Sequence, residues 1–465
     1  MSSIVVGIPP AILNLVQTGL LERAFHDALF PALLFRGEAS FEPWEGNTGT
    51  EIFMTRAGLL DPIVRPLPST ADPLPQNLSY EQWVARLDRY AGTIDVHMPT
   101  SAVANADQFL RSVQQLGLQA GQSINRIPRN VLGKTYLAGQ TNLIQATLAA
   151  DTSIRVASLN GFTEFILKGQ AVRPLPVSTS FPLPIQLINA GVPINLTVVG
   201  YVADDPNDPY GPGTLLLGQT VGAIVAVRSA VLATNRPRVL RSGGGSSVDA
   251  IGASDIFTLQ DAINATNWLR RNNVPPHEDG YYHGHINMDA NGQVFQDTAF
   301  RQLNTALPDH TYYQQAFIGT IAGIAFFANN ECPDYLNSGA RTSTGTNAFY
   351  STDVGAETTN DSGVNIGRVL ITGKGSIYEC GLDESKYVSE AGVTGKIGEF
   401  TVVNQGLQIE TDRIRLILRA PTNRLQDQVS LTWSITTAFP TPSDITAGGP
   451  QKNKRAVWIE HALDT

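Results

Sequence analysis

Five prolines, Pro62, Pro66, Pro68, Pro73 and Pro75, stand between two strand-forming runs, Thr50–Arg56 and Tyr80–Val96. No other feature restricts the fold as much. Each proline fixes φ and removes a backbone donor, so neither a helix nor a central strand can form between the runs. A hairpin with a long extended tip results, set within residues 45–100. Two strands joined by such a tip cannot bury a core of their own. The hairpin has to lie on something, either its own domain or a neighbouring molecule.

The next segment has the opposite character. Phe109, Val113, Leu116, Ala120, Ile124, Ile127 and Val131 recur at steps of four and three, one apolar stripe along a single long helix. Pro128 lies inside the stripe and is expected to kink or divide the helix. The pattern stops after about three heptads and lacks charged flanking pairs, which favours a spine helix over a coiled coil. Ahead of the hairpin, residues 1–44 offer only Asn14–Leu29 as a helical stripe, which reads as an arm and not as a domain.

Short β-branched runs split by Pro and Gly fill the stretch from about Ile154 to Arg241, around the turn-forming loop DDPNDPYGPG. They predict an inserted β-rich subdomain, with RSGGGSS as a flexible linker after it. A helix starts at Leu259 with Thr258 as cap and Asp261 three residues on, a capping box. Leu259, Ile263 and Leu269 are expected on its inner face. A second helix is expected around Phe295–Leu307, ahead of the glycine-spaced run FIGTIAGIAFF. Near the end, Val429, Leu431, Trp433 and Ile435 alternate with polar residues as a half-buried antiparallel strand. RIRLILR and RAVWIEHA are its expected partners. No internal repeat is apparent.

Composition narrows the function classes. The chain has 465 residues, enough for two or three domains, and only 16% of them are charged, against a usual share of about 25%. A low charged share suggests a surface largely covered by partners. The net charge of −9 argues against nucleic acid as the primary ligand. Arg outnumbers Lys 25 to 7, and Arg is the cation that interfaces favour. Cys332 and Cys380 have no C-x-x-C spacing and read as buried thiols of a protein made in a reducing cytoplasm. The N-terminal sequence has no basic region ahead of its apolar stretch, so no signal peptide is expected. The longest apolar run, from Ala316 to Ala328, is too short to span a bilayer, and no membrane contact is expected.

Enzyme chemistry finds little support. His277, His283 and His285 with Asp279 form the densest metal-capable cluster, in HEDGYYHGHINMD. An H-x-H step in a strand would point both imidazoles to one face. The bland alternative is a polar, aromatic loop leading to the next element, and no general base accompanies the histidines. Gly373–Lys374–Gly375 lacks the spacing of a phosphate loop. There is no nucleophile elbow, zinc-protease motif or dinucleotide fingerprint. No catalytic, cofactor-binding or metal-binding residue is assigned, and no cofactor is expected.

The order of parts resembles the Hong Kong 97-type capsid fold of tailed bacteriophages, in particular the subgroup found in short-tailed, large-virion phages. The likeness is carried by FEPWEGNTGTEIFMTRAGLL, by NVPPHEDGYYHGHINMDANGQVFQD with FIGTIAGIAFFANNE, by RVLITGKGSIYECG, and by RLILRAPTNRLQDQVSLTWSITTAFP. It implies an α+β fold: N-terminal arm (1–44), extended hairpin loop (45–100), spine helix of a peripheral domain (101–153), inserted β-rich subdomain (154–247), axial α/β domain (248–400) and closing strands (401–465). The inserted segment departs from the minimal fold. The implied role is that of a major capsid protein in a virion, assembled in the host cytoplasm. Such subunits form hexamers and pentamers of an icosahedral head around double-stranded DNA, which they touch without sequence preference. Scaffolding, portal and decoration proteins are further implied partners.

In that reading the hairpin lies across an adjacent subunit and the arm laces under another. Trp44, Arg56, Arg65, Trp83, Arg86 and Arg89 are the expected inter-subunit contacts. Some shells of this fold join a hairpin Lys to an Asn of a neighbour, but residues 1–133 of this chain contain no Lys. The alternatives are an encapsulin-like nanocompartment with the same fold, a decoration or tail protein, and a metal-dependent enzyme built on the three histidines.

Overall fold

Gly19, at φ 69, interrupts the first helical stripe. In the computed structural model the arm therefore holds two helices, α1 (Pro10–Gln17) and α2 (Leu20–Leu29). The spine is α3 (Gln108–Tyr136), 29 residues that run unbroken through Pro128. Its buried face starts as expected with Phe109, Val113, Leu116, Ala120 and Ile124. It then continues through Pro128, Leu132 and Tyr136, while Ile127 and Val131 are half-buried. A constant step of four outruns the 3.6-residue turn, so the buried face rotates by about 40° per turn.

The structure describes residues 10–29, 33–44, 49–58, 60, 63–64, 66–67, 72–73, 75–78, 80–97, 108–167, 171–305, 319–329, 331–332, 364–382, 393–397, 400–403, 406–419, 421, 424–425, 427–445 and 451–463. The strands before the spine are β1 (Ala39–Pro43), β2 (Glu51–Ala57), β3 (Tyr80–Arg86) and β4 (Asp88–His97). After it come β5 (Gln140–Asn142), β6 (Ser153–Val156), β7 (Glu164–Leu167), β8 (Ala171–Pro176), β9 (Leu183–Asn189), β10 (Val192–Ala203), β11 (Gly213–Leu217), β12 (Ala230–Ala233) and β13 (Val239–Arg241). Helix α4 (Leu259–Arg271), β14 (Tyr282–Ile286), α5 (Met288–Gln296) and α6 (Thr298–Thr305) follow. The chain closes with β15 (Thr320–Ile321), β16 (Ile324–Ala328), β17 (Ile366–Thr372), β18 (Ile377–Gly381), β19 (Val393–Ile397), β20 (Phe400–Val403), β21 (Gly406–Thr411), β22 (Ile414–Arg419), β23 (Gln428–Ala438) and β24 (Ala456–Ala462). The architecture is α+β.

Two units divide the chain. Unit 1 comprises Met1–Ile52, Val84–Arg129 and Ile377–Pro440. Its sheet has the order β1-β18-β23-β22-β21-β20-β19, and β4 pairs along most of β23. Helices α1 and α2 join the first part of α3 on its core: Ile12, Val16, Leu21, Phe25 and Leu29 are buried with Val113, Ile124, Leu416 and Trp433. The arm thus buries its apolar stripe within its own unit, which corrects the expectation that it needs a neighbour for this. The partners of β23 are corrected as well. RIRLILR is its neighbour β22, but RAVWIEHA is β24 and pairs elsewhere, with β17 and β13. Every residue of β24 is buried, which suits a strand covered on both faces.

Unit 2 comprises Phe53–Trp83, Asn130–Ser376 and Thr441–Thr465. Within it, β5-β12-β9-β10-β11-β6 form an antiparallel sheet, and a bridge between Leu143 and Val156 joins its two ends. The sheet is therefore a small closed barrel that begins at β5, ahead of the expected insertion at 154–247, an arrangement that leaves no open sheet edge. Its core includes Leu143, Ile154, Phe162, Leu187, Val198, Leu215 and Val231. A second sheet, β13-β24-β17-β14-β16-β15, packs against α4 and α5. Thr258 and Asp261 form the expected capping box of α4. Its inner face, however, is Ala262, Ala265, Thr266 and Leu269, with Leu259 and Ile263 only half-buried. Small residues there let the helix lie close to the sheet.

The other expected helix is α6, and α5, which was not expected, ends just before it at Asp297. RSGGGSS is not a loose linker at its start. Arg241 is 2.9 Å from Glu460 and donates to Gln140, and the buried Ser242 donates to Asp261.

Candidate assembly surface

Strands β2 and β3 form the hairpin, which is shorter than expected: the run Tyr80–Val96 breaks at Leu87 into β3 and β4, and β4 pairs with β23 instead. In the four-stranded sheet β2-β3-β8-β7, the register places Tyr80 opposite Ala171 and Glu81 opposite Val172. Beyond these strands the tip presents apolar side chains to solvent: Leu60 is 53% exposed, Ile63 80%, Val64 84% and Leu67 55%. Phe53 on β2 is exposed too, at 63%. An exposed apolar patch is a usual mark of a protein-binding surface.

The foot of the hairpin is a buried ionic cluster. Glu81 is fully buried, with Arg56 Nη2 3.0 Å away; its other oxygen accepts from Ser443 Oγ and the Ile445 N–H at 3.2 and 3.1 Å. Asp444 accepts from Arg56 at 2.7 Å and from Arg455 at 2.9 Å. Burial lifts the Glu81 carboxyl above the ordinary carboxylate range. Arg56 pulls the other way without cancelling it, and Asp444 adds to the rise. Two strands are thereby clamped to the segment 441–455 by groups that would be costly to separate.

The six expected contact residues differ in placement. Arg56 lies in the ionic foot, and Trp83 is buried in unit 2 at 8% exposure. Trp44 is buried in unit 1, where its N–H donates to the Gly381 carbonyl. Arg86 and Arg89 are exposed, Arg86 lying 4.0 Å from Glu51. Arg65 lies outside the described residues. The exposed aliphatic groups of the tip, Ile63 and Val64, were not singled out by sequence; their position between prolines, where no core can cover them, is the signal that finds them.

The histidines do not form one three-ligand set. His277 and His283 stack face to face, with ring centroids 3.8 Å apart and an interplanar angle of 5°. His283 lies 3.0 Å from Asp279. Desolvation nudges Asp279 upward, but the Tyr281 N–H and His283 hold it below the ordinary value. His285 instead shares a 3.2 Å contact with Asn329, and Phe327 lies against both His283 and His285. Cys332 and Cys380 are buried thiols, and burial beside Glu42 and Glu379 pushes Cys380 up to about 12. A thiol so shifted is inert at neutral pH.

No family model matches the chain, and no curated protein matches it. Solved structures do. The chain is similar to the capsid structure of the cyanophage P-SCSP1u, at 12% identity, with 93% of this chain and 89% of that one covered and a TM-score of 0.44. It is similar to the cyanophage Pam1 capsid asymmetric unit at 10% identity, 94% and 92% coverage and a TM-score of 0.47. For the capsid of Ralstonia phage GP4 the values are 11%, 92% and 87%, and 0.43.

Arginine has a role that composition alone did not indicate. Arg36 forms a bidentate pair with buried Glu379, joined by Arg413. Arg241 and Arg368 enclose buried Glu460. Burial alone would lift Glu460, yet the two guanidiniums outweigh it and hold the carboxyl below the ordinary range. Planar, permanently charged side chains suit such internal pairs as well as they suit interfaces.

Proposed function

We propose that this chain is a major capsid protein of a tailed bacteriophage, a structural subunit and not an enzyme. The observation that carries the reading is the hairpin: an arm held at its foot by buried ion pairs, whose tip offers Leu60, Ile63, Val64 and Leu67 to solvent. Such a surface is of use to a protein that binds other copies of itself. The elements around it support the reading by their order, with arm helices, hairpin, spine helix, inserted barrel, mixed α/β layer and closing antiparallel strands in sequence. In the shell the hairpin lies across an adjacent subunit, and Arg86 and Arg89 face neighbouring carboxylates. Hexamers and pentamers close an icosahedral head, located in the virion and filled with double-stranded DNA that makes non-specific contacts. Scaffolding, portal and decoration proteins meet the same shell. Many modest contacts let such a lattice correct errors and still be stable in aggregate.

Electron microscopy of the purified recombinant chain is the test. Closed shells tens of nanometres across are expected. A population of monomers at every concentration and salt condition would refute the proposal, and shells purified with enzyme cargo in place of DNA would point to a nanocompartment.

A further inference from the structure

At the scale of five residues the chain does repeat itself. Val-Arg-Pro-Leu-Pro stands at 64–68, in the hairpin tip, and again at 172–176. The second copy lies in β8, where the structure shows what this pentapeptide pairs with. Strand β8 meets β3 only at Ala171 and Val172. From Arg173 onward it pairs, among the described residues, with β7 alone, Arg173 opposite Leu167, Pro174 opposite Ile166, Leu175 opposite Phe165 and Pro176 opposite Glu164. The alternation explains this. Pro174 and Pro176 have no N–H, so only Arg173 and Leu175 can donate, and both donate to the same side. The pentapeptide is a strand with one usable edge. Pro174 and Leu175 also line a cleft with Tyr201, Pro209 and Tyr210.

Strand β7 uses only half of its backbone in this pairing. Phe165 and Leu167, opposite the two donors, turn their N–H and C=O toward β8. Glu164 and Ile166 therefore direct theirs to the outer edge. No strand pairs with that edge among the described residues. In the first copy of the pentapeptide Val64 is 84% and Leu67 55% exposed. An open edge and a second copy of the sequence that already pairs with β7 are the two halves of a strand-addition contact.

We infer that residues 64–68 of one copy add as an antiparallel strand to the outer edge of β7 in a second copy. Leu67 then lies opposite Glu164 and Arg65 opposite Ile166, so that the donors are again the two non-proline residues. The exposed Glu164 carboxylate becomes the diagonal neighbour of the Arg65 cation, within reach of so long a side chain. The inserted barrel, through the β7–β8 ribbon, is on this view the receptor for the tip of a neighbouring hairpin. The inference rests on the shell reading, since it names the surface on which that hairpin docks.

Paired cysteines test it in assembled particles. Directly opposed residues of this pairing have Cα atoms about 5.5 Å apart, within disulfide range. In the Leu67→Cys, Glu164→Cys double variant, mild oxidation of shells should convert most of the monomer band to a ladder on a non-reducing gel. Peptide mapping should join position 67 to position 164, and each single variant should stay monomeric. The native thiols are buried and should not contribute. Shells that form but yield only monomer, or that join position 67 elsewhere, would overturn the docking surface and leave the capsid reading standing. A wild-type chain that forms no shell would overturn both.

Discussion

Two buried carboxylates of unit 2 respond to pH in opposite senses. Glu81 has its pKa raised by burial, so the folded state holds its proton more tightly than the unfolded chain does. Its contribution to stability is present at low pH and is lost as the pH rises through the raised value. Glu460 has its pKa lowered by Arg241 and Arg368. Its contribution is complete above the unfolded value of about 4.3 and is lost as the pH falls through the depressed one. Thermal melts from about pH 2 to 8 separate them. The Tm of Glu81→Gln relative to wild type should rise with pH. Glu460→Gln should be destabilised by about 3–5 kcal/mol at neutral pH, with the gap closing on acidification. Parallel pH profiles for the two variants would contradict this assignment. Close approach is equally local. A Cβ on Gly117 of α3 would lie 2.6 Å from the Phe25 carbonyl of α2. Gly117→Ala should therefore cost about 1–3 kcal/mol in denaturant unfolding, although Ala is the better helix former.

The inserted barrel is the element most separable from its surroundings. Its ends meet, because the Ala233 N–H donates to the Gly139 carbonyl and a Cβ on Gly139 would touch Arg236. Its sheet closes on itself around its own apolar core. Residues 139–236 expressed alone should unfold cooperatively, as followed by far-UV dichroism; a featureless melt would show that the barrel depends on the rest of unit 2. A cut at 157 and 240 would be a poorer choice, since it removes four barrel strands and leaves β5 and β6 behind. The hairpin makes the contrasting case. Its foot is clamped and its tip is bare, so amide exchange should be slow near Glu81 in the subunit and near Val64 only in shells. Equal protection of the tip in both states would contradict its dependence on a neighbour.

For the whole molecule, lysine placement decides how a shell of this chain can be held. An isopeptide bond needs an amine nucleophile on the hairpin. The seven Lys are Lys134, Lys168, Lys374, Lys386, Lys396, Lys452 and Lys454, none of them there. The hairpin cations are Arg56, Arg65, Arg86 and Arg89, and a guanidinium cannot take the place of the amine. Mature particles boiled in detergent and reductant should run as one band near 50 kDa. Covalent oligomers surviving that treatment would show a cross-link through some other amine.

Local pattern was enough to locate α3, the capping box of α4, the alternation of β23 and the hairpin, because each depends on neighbours in sequence. Proline spacing alone excluded helix and central strand from the tip. Strand partners were another matter. RAVWIEHA is apolar on both faces and could sit in the centre of any sheet; whether it joined β23 or β17 depended on what covers each face, which alternation does not encode. The foot of the hairpin was invisible for the same reason. Glu81 and Asp444 are ordinary surface residues in sequence, and only chain segments more than 360 residues apart, brought together by tertiary folding, make them a buried pair under Arg56 and Arg455.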